Sequence, residues 1–189
     1  MTKTALRKIY RVKRKALSLN EISQFSERIF ENFINCFDLK DSQKIHIFLS
    51  VSKLREVKTE SFIDYCFQRN ISVFVPKMIG DNLISVEIFP ETELEINSYG
   101  ISEPRTNADS GEKFFDYIIT PLLYCDEFGN RVGYGKGFYD RLFAQVDENS
   151  LKVGVNFFPP AEIIENADKH DVPLDYLVTP DEVFSFGTL

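Results

Sequence analysis

Residues 44–76 constrain this chain more than any other stretch. "KIHIFLS" (44–50) is a short apolar run of the length of a buried strand, "ISVFVP" (71–76) is a second, and the residues from about Thr59 to Arg69 between them carry helical spacing. Strand, helix, strand is the crossover unit of a parallel sheet, and a parallel sheet needs both faces covered. The fold class that follows is α/β. "LISVEIF" (83–89) alternates like a further strand, "DYIITPLL" (116–123) like a central one, "KVGVNF" (152–157) is another, and "DYLVT" (175–179) reads as the last buried strand. Residues 90–115, with their Pro, Gly, Asn and Ser, form a long loop, and loops of that length are usually functional or mobile. No repeat or low-complexity tract divides the 189 residues, so one domain over 1–189 is expected.

The N-terminal end is unlike the rest. Lys3, Arg7, Lys8, Arg11, Lys13, Arg14 and Lys15 all precede the first acid, Glu21, in a chain whose net charge is -7. Wound as a helix, segment 3–17 places Ala5, Leu6, Ile9, Val12 and Ala16 on one face and Lys3, Arg7, Arg11 and Arg14 on the other. The apolar face is expected to dock and the basic face to stay available. Ser18 followed three residues later by Glu21 is a capping box, opening a helix through Ile22, Phe25, Ile29, Phe30 and Phe33.

The acidic balance argues against a general nucleic-acid binder. No apolar run approaches the roughly 18 residues of a membrane span, and the start lacks the apolar region of a secretory signal. Cys36, Cys66 and Cys125 are odd in number and widely spaced, which predicts three buried thiols in a reducing cytoplasm and neither a disulfide framework nor a zinc site. His46, inside an apolar strand, is expected to be a satisfied core residue; His170 receives no role.

"GNRVGYGKGFYDR" (129–141) carries the chemistry. Four glycines, Arg131, Lys136 and Arg141 follow a strand and open a helix, an arrangement in which bare amides and the positive helix end receive phosphate. It is not a Walker A loop, because Gly135-Lys136 is followed by Gly137 and the upstream glycine position is Asn130. Nor is it the dinucleotide fingerprint, since Gly133, Gly135 and Gly137 run GxGxG late in the chain. Asp140, in the first helical turn, is a candidate magnesium ligand. Asp171 and Asp175 in "KHDVPLDYLVT" are the candidate partner acids.

Taken together, "LRK", "IFLSVSKLREVKT", "FVPK", "YGISEP", "DYIITPLLYCDEFGNRVGYGKGFYDR" and "HDVPLDYLVT", in that order over nearly the whole length, resemble the 5-formyltetrahydrofolate cyclo-ligase family. The resemblance implies a single α/β domain of the sugar-phosphate isomerase and CoA-transferase-like kind, with a mostly parallel sheet flanked by helices. It implies ATP- and Mg²⁺-dependent closure of 5-formyltetrahydrofolate to 5,10-methenyltetrahydrofolate with release of ADP and phosphate, in a cytoplasmic monomer or weak homodimer that binds no nucleic acid and no membrane.

Carried across by position, the resemblance assigns Lys3 and Arg7 to the ATP phosphates, with Arg11 as a third candidate. Arg131, Val132, Gly133, Tyr134, Gly135, Lys136, Gly137, Phe138 and Tyr139 form the nucleotide loop. Tyr134 to Phe138 also border the folate, with Val51 and the acid Glu56. Arg131, Lys136 and Tyr139 are expected to serve the reaction itself, and Asp140 with Asp175 to hold the metal. Lys58 stands where the family often has an acid. Two other readings stay open: a non-catalytic nucleotide- or RNA-binding module with a basic arm, and a sugar-phosphate isomerase or acyl-carrier transferase on a similar scaffold.

Overall fold

The computed structural model describes residues 1–80, 82–98, 100–168 and 171–187. The helices are α1 (Lys3–Ala16), α2 (Leu19–Cys36), α3 (Glu60–Gln68) and α4 (Phe138–Phe143). The strands are β1 (Lys44–Ile47), β2 (Ser72–Ile79), β3 (Asn82–Ile88), β4 (Leu94–Ile96), β5 (Ser102–Pro104), β6 (Tyr117–Pro121), β7 (Tyr124–Cys125), β8 (Arg131–Val132), β9 (Leu151–Val155), β10 (Tyr176–Val178) and β11 (Val183–Ser185). Seven of them form one sheet in the order β11-β10-β9-β6-β1-β2-β3. From β10 to β2 all neighbours are parallel, and each edge strand, β3 and β11, is antiparallel.

Alternation along the strands builds a core on each face of the sheet. Ile45, Ile47, Val73, Val75, Ile119 and Val153 pack beneath α2 and α3 against Ile29, Phe33 and Phe62. Phe74, Ile118 and Leu177 point to the other face and meet Leu142 and Phe143 of α4. His46 shares that second face: it is fully buried, edge-on to Phe115, and both its ring nitrogens lack partners among the described residues. It is a core residue as expected but not a satisfied one, and burial pulls its pKa down to about 3, so it stays neutral.

The capping box forms: Glu21 N donates to Ser18 Oγ at 3.1 Å and Ser18 N to Glu21 Oε2 at 2.7 Å. Helix α1 is turned relative to the expected face. Leu6, Tyr10 and Arg14 are its buried line, while Ile9 is exposed and Val12 is 65% exposed. Arg14, expected on the free basic face, is only 2% exposed, because backbone and side-chain acceptors await its guanidinium inside. Three other expectations change. The 90–115 segment contains the β4–β5 hairpin, a further edge strand, β11, follows β10, and Cys36 is exposed while Cys66 and Cys125 are buried and free.

From β1, the first strand in the chain, β2 and β3 are added on one side and β6, β9, β10 and β11 on the other. The order therefore reverses between β1 and β6. In open α/β sheets, the carboxyl ends of the strands at such a reversal leave a crevice for ligands.

Candidate active site at the carboxyl edge of the sheet

A cavity of about 640 Å³ opens at that reversal, and the segments leaving β1 (Phe48, Leu49, Val51) and β6 (Pro121) floor it. Its other walls include α1, the glycine loop, the β2–β3 pair, residues 53–56 and the β4–β5 hairpin.

The basic part of the cavity is built around Gly133–Gly137. Arg7 Nε donates to Gly133 O at 3.0 Å, and a Cβ on Gly135 would sit 3.5 Å from the Arg7 guanidinium carbon. Gly135 (φ +94°) and Gly137 (φ +66°) both hold left-handed backbone, which glycine adopts without strain. The glycines thus let a cationic side chain and the bare loop backbone meet at the cavity wall. Lys3 lines the same end, paired with Asp171. Arg131 is buried and fixed three ways: Nη2 donates to Asp140 Oδ1 at 2.5 Å, Nη1 bonds Val172 O, and the guanidinium lies 4.6 Å from the Phe143 ring centroid. Lys136 is exposed on the loop, which Arg141 braces by donating to Lys136 O at 3.1 Å.

The rest of the lining is largely apolar with buried acids, and Tyr134 of the glycine loop joins it. Phe48, Leu49, Leu54, Met78, Leu83 and Ile101 line it. Glu56, 6% exposed, accepts from Val51 N at 2.9 Å through Oε2 and from the Tyr134 hydroxyl at 2.5 Å through Oε1. Burial raises its pKa, while the Tyr134 and Val51 hydrogen bonds and the Arg14 charge oppose the rise. Burial and the nearby Glu56 charge raise the Tyr134 and Tyr139 phenols as well, which keeps both protonated. The Tyr139 hydroxyl is buried with no partner among the described residues.

The cavity thus gathers Lys3, Arg7, Val51, Glu56, Arg131, Gly133 to Tyr139 and Asp140. Three expected residues stand elsewhere. Arg11, the third phosphate candidate, is exposed, its guanidinium carbon 6.0 Å from the Tyr134 ring centroid. Val132 packs in the core with Leu6 and Tyr10, because its strand alternation turns it away from the site. Asp175 begins β10, at the amino edge of the sheet: it accepts from Lys152 N at 2.7 Å while its own N–H donates to Lys152 O at 2.9 Å. Asp116 does the same at the start of β6, with Lys44 N (2.7 Å) and Lys44 O (2.8 Å). These two Asp-Tyr strand starts bracket their parallel neighbours in register. Of the two candidate partner acids, Asp171 is the one that lines the cavity with Asp140; His170 lies outside the described residues. Sequence reasoning gave no role to Lys53 or to Glu103, which is 6% exposed and also lines the cavity. An acid before a proline, inside "YGISEP", was the available signal for Glu103.

The sequence model of the 5-formyltetrahydrofolate cyclo-ligase family matches residues 1–180. A probable 5-formyltetrahydrofolate cyclo-ligase of Schizosaccharomyces pombe is 30% identical over 201 residues, spanning 97% of each chain. A solved structure of Aquifex aeolicus 5,10-methenyltetrahydrofolate synthetase superposes with a TM-score of 0.84 at 29% identity, covering 100% of this chain and 95% of that one. The synthetase of Mycoplasma pneumoniae follows with a TM-score of 0.74 at 25% identity, covering 95% and 99%. With the match running from the basic helix through the glycine loop to the last parallel strand, this chain belongs to the 5-formyltetrahydrofolate cyclo-ligase family.

Proposed function

We propose that this protein closes 5-formyltetrahydrofolate to 5,10-methenyltetrahydrofolate at the expense of ATP, with both substrates held in the one cavity. The supporting observation is the cavity's polarity. A basic, backbone-lined end with Lys3, Arg7, Arg131 and Lys136 suits a polyphosphate, and an apolar end with the buried acid Glu56 suits a flat pterin. A carboxylate there can accept from the pterin's amino and ring N–H groups.

A formamide oxygen is a poor leaving group. In the proposed reaction it attacks the terminal phosphorus, the new O–P bond forming as the bond to ADP breaks. The bridge nitrogen then attacks the activated carbon and loses its proton, and the C–O bond breaks as phosphate leaves. Such chemistry asks the protein for positioning and charge stabilisation more than for a nucleophile. Arg131, held rigid by Asp140, Val172 and Phe143, is placed to stabilise charge on the transferring group. Lys3 and Arg7 anchor the phosphates, and Lys136 adds a flexible charge. Tyr139 offers its orphan hydroxyl as a donor, and Val51 and Phe138 wall the substrate. Asp140 and Asp171 fit a magnesium ion: Mg²⁺ at phosphate sites takes one or two carboxylates and completes its shell with phosphate oxygens and water. When bound, the ion would neutralise the phosphate charge.

Closing the ring creates a conjugated amidine chromophore, so absorbance decides the matter. Colour is expected only when 5-formyltetrahydrofolate, ATP and Mg²⁺ are all present. Turnover without ATP would refute the mechanism and favour an isomerase or transferase. A heavy-oxygen label in the formyl group is expected to appear in the released phosphate.

A further inference from the structure

Helix α1 sends two arginines in different directions. Arg7 reaches the glycine loop, whereas Arg14, two turns on, is buried behind it and does not itself line the cavity. Arg14 Nη1 donates to the Tyr134 hydroxyl at 2.9 Å, and that hydroxyl donates to Glu56 Oε1 at 2.5 Å. Its Nη2 bonds Leu122 O and reaches Asn156 Oδ1 at 3.4 Å. Asn156 in turn donates to Leu123 O (3.3 Å) and Phe158 O (3.2 Å), which fixes the acceptor that Arg14 uses. No described carboxylate forms a direct ion pair with Arg14.

Two buried opposite charges therefore face each other through one phenol hydroxyl. A buried carboxylate without compensation takes up a proton and ceases to be an anion. Glu56 has one backbone N–H and one phenol as donors, and the formal positive charge behind that phenol is Arg14.

We infer that Arg14 is a positioning residue for the folate end of the cavity, holding Tyr134 and through it Glu56 aimed at the pterin. The inference rests on the proposed role of Glu56. It also explains why α1 serves both ends of the site, its first turns at the phosphates and its last turn at the folate.

Steady-state kinetics of the full chain test it. Arg14→Met is expected to raise KM for 5-formyltetrahydrofolate about tenfold or more, the scale of a lost hydrogen bond to a charged group. The kcat and KM for ATP should hold, because a contact made equally in ground and transition states affects KM alone. Tyr134→Phe, a smaller change that keeps the packing, should reproduce the folate defect if Arg14→Met fails to fold. Arg14→Lys should restore part of it. In a Glu56→Gln background Arg14→Met should add little, since residues acting through one another are not additive. If Arg14→Met raises both KM values together, or only lowers the melting temperature, Arg14 is a packing residue and the inference falls. If Glu56→Gln raises the folate KM while Arg14→Met and Tyr134→Phe do not, the inference falls alone. If Glu56→Gln leaves the folate KM unchanged, the pterin assignment of Glu56 falls and takes the inference with it.

Discussion

The two edges of the sheet use aspartate in opposite ways. At the amino edge, Asp116 and Asp175 each exchange a pair of hydrogen bonds with the backbone of the adjacent parallel strand, at 2.7 to 2.9 Å. At the carboxyl edge, Asp140 and Asp171 sit in a cavity and pair with the side-chain cations Arg131 and Lys3. A carboxylate held by the neighbouring strand's backbone is part of the strand register. A carboxylate held by a cation that a phosphate could also attract can change partners when substrate arrives.

The largest expected effect lies at the carboxyl edge. Arg131→Ala should lower the catalytic rate by roughly 10²–10³, the scale of removing one preorganised charge-stabilising donor, as read by single-turnover absorbance on folded protein. An unchanged rate would remove Arg131 from the mechanism. Gly135→Ala forces a side chain into left-handed backbone at about 1–2 kcal/mol and places it against Arg7. A raised KM for ATP with the folate KM unmoved is the expected result, measured by varying each substrate in turn.

Asp140→Asn should shift the magnesium dependence of the rate by about tenfold, the loss of one charge-assisted ligand contact. Asp175→Ala should leave that dependence alone and instead cost about 1 kcal/mol of stability, read as a shift of the urea midpoint at constant slope. If Asp175→Ala moved the magnesium titration, the division between the two edges would be wrong.

A third kind of acid gives the smallest effect. Glu56 has its pKa raised in the folded state by burial, so the folded protein holds that proton more tightly than the unfolded chain. Stability is then lost as pH rises from the unfolded value through the folded one. Glu56→Gln removes that loss. Its melting temperature should exceed that of the parent at pH 7 and converge with it in acid, while folate affinity falls.

Period and capping made most of the scaffold legible. Short apolar runs at 44–50 and 71–76 announced buried strands, and Ser18 with Glu21 marked where α2 begins. The glycine loop was legible because few other demands place Gly133, Gly135 and Gly137 beside Arg131 and Lys136. Strands of two or three residues, such as β7, β8 and β4, carry too little pattern to be read. Arg14 was misplaced because amphipathic spacing treats every arginine as a surface residue, and its acceptors at Leu122, Tyr134 and Asn156 lie more than a hundred positions away. The choice of Asp175 over Asp171 beside Asp140 differs from the geometry for another reason: four residues of spacing do not say which acid lies at the cavity and which at the strand start.

The most direct measurement is a structure of the protein crystallised with ADP and 5-formyltetrahydrofolate. The phosphates should lie against the backbone of Gly133–Gly137 within reach of Arg7 and Arg131, with the pterin edge on Glu56. Nucleotide bound away from the glycine loop, or a pterin that leaves Glu56 facing empty space, would contradict the division of the cavity on which the proposed chemistry depends.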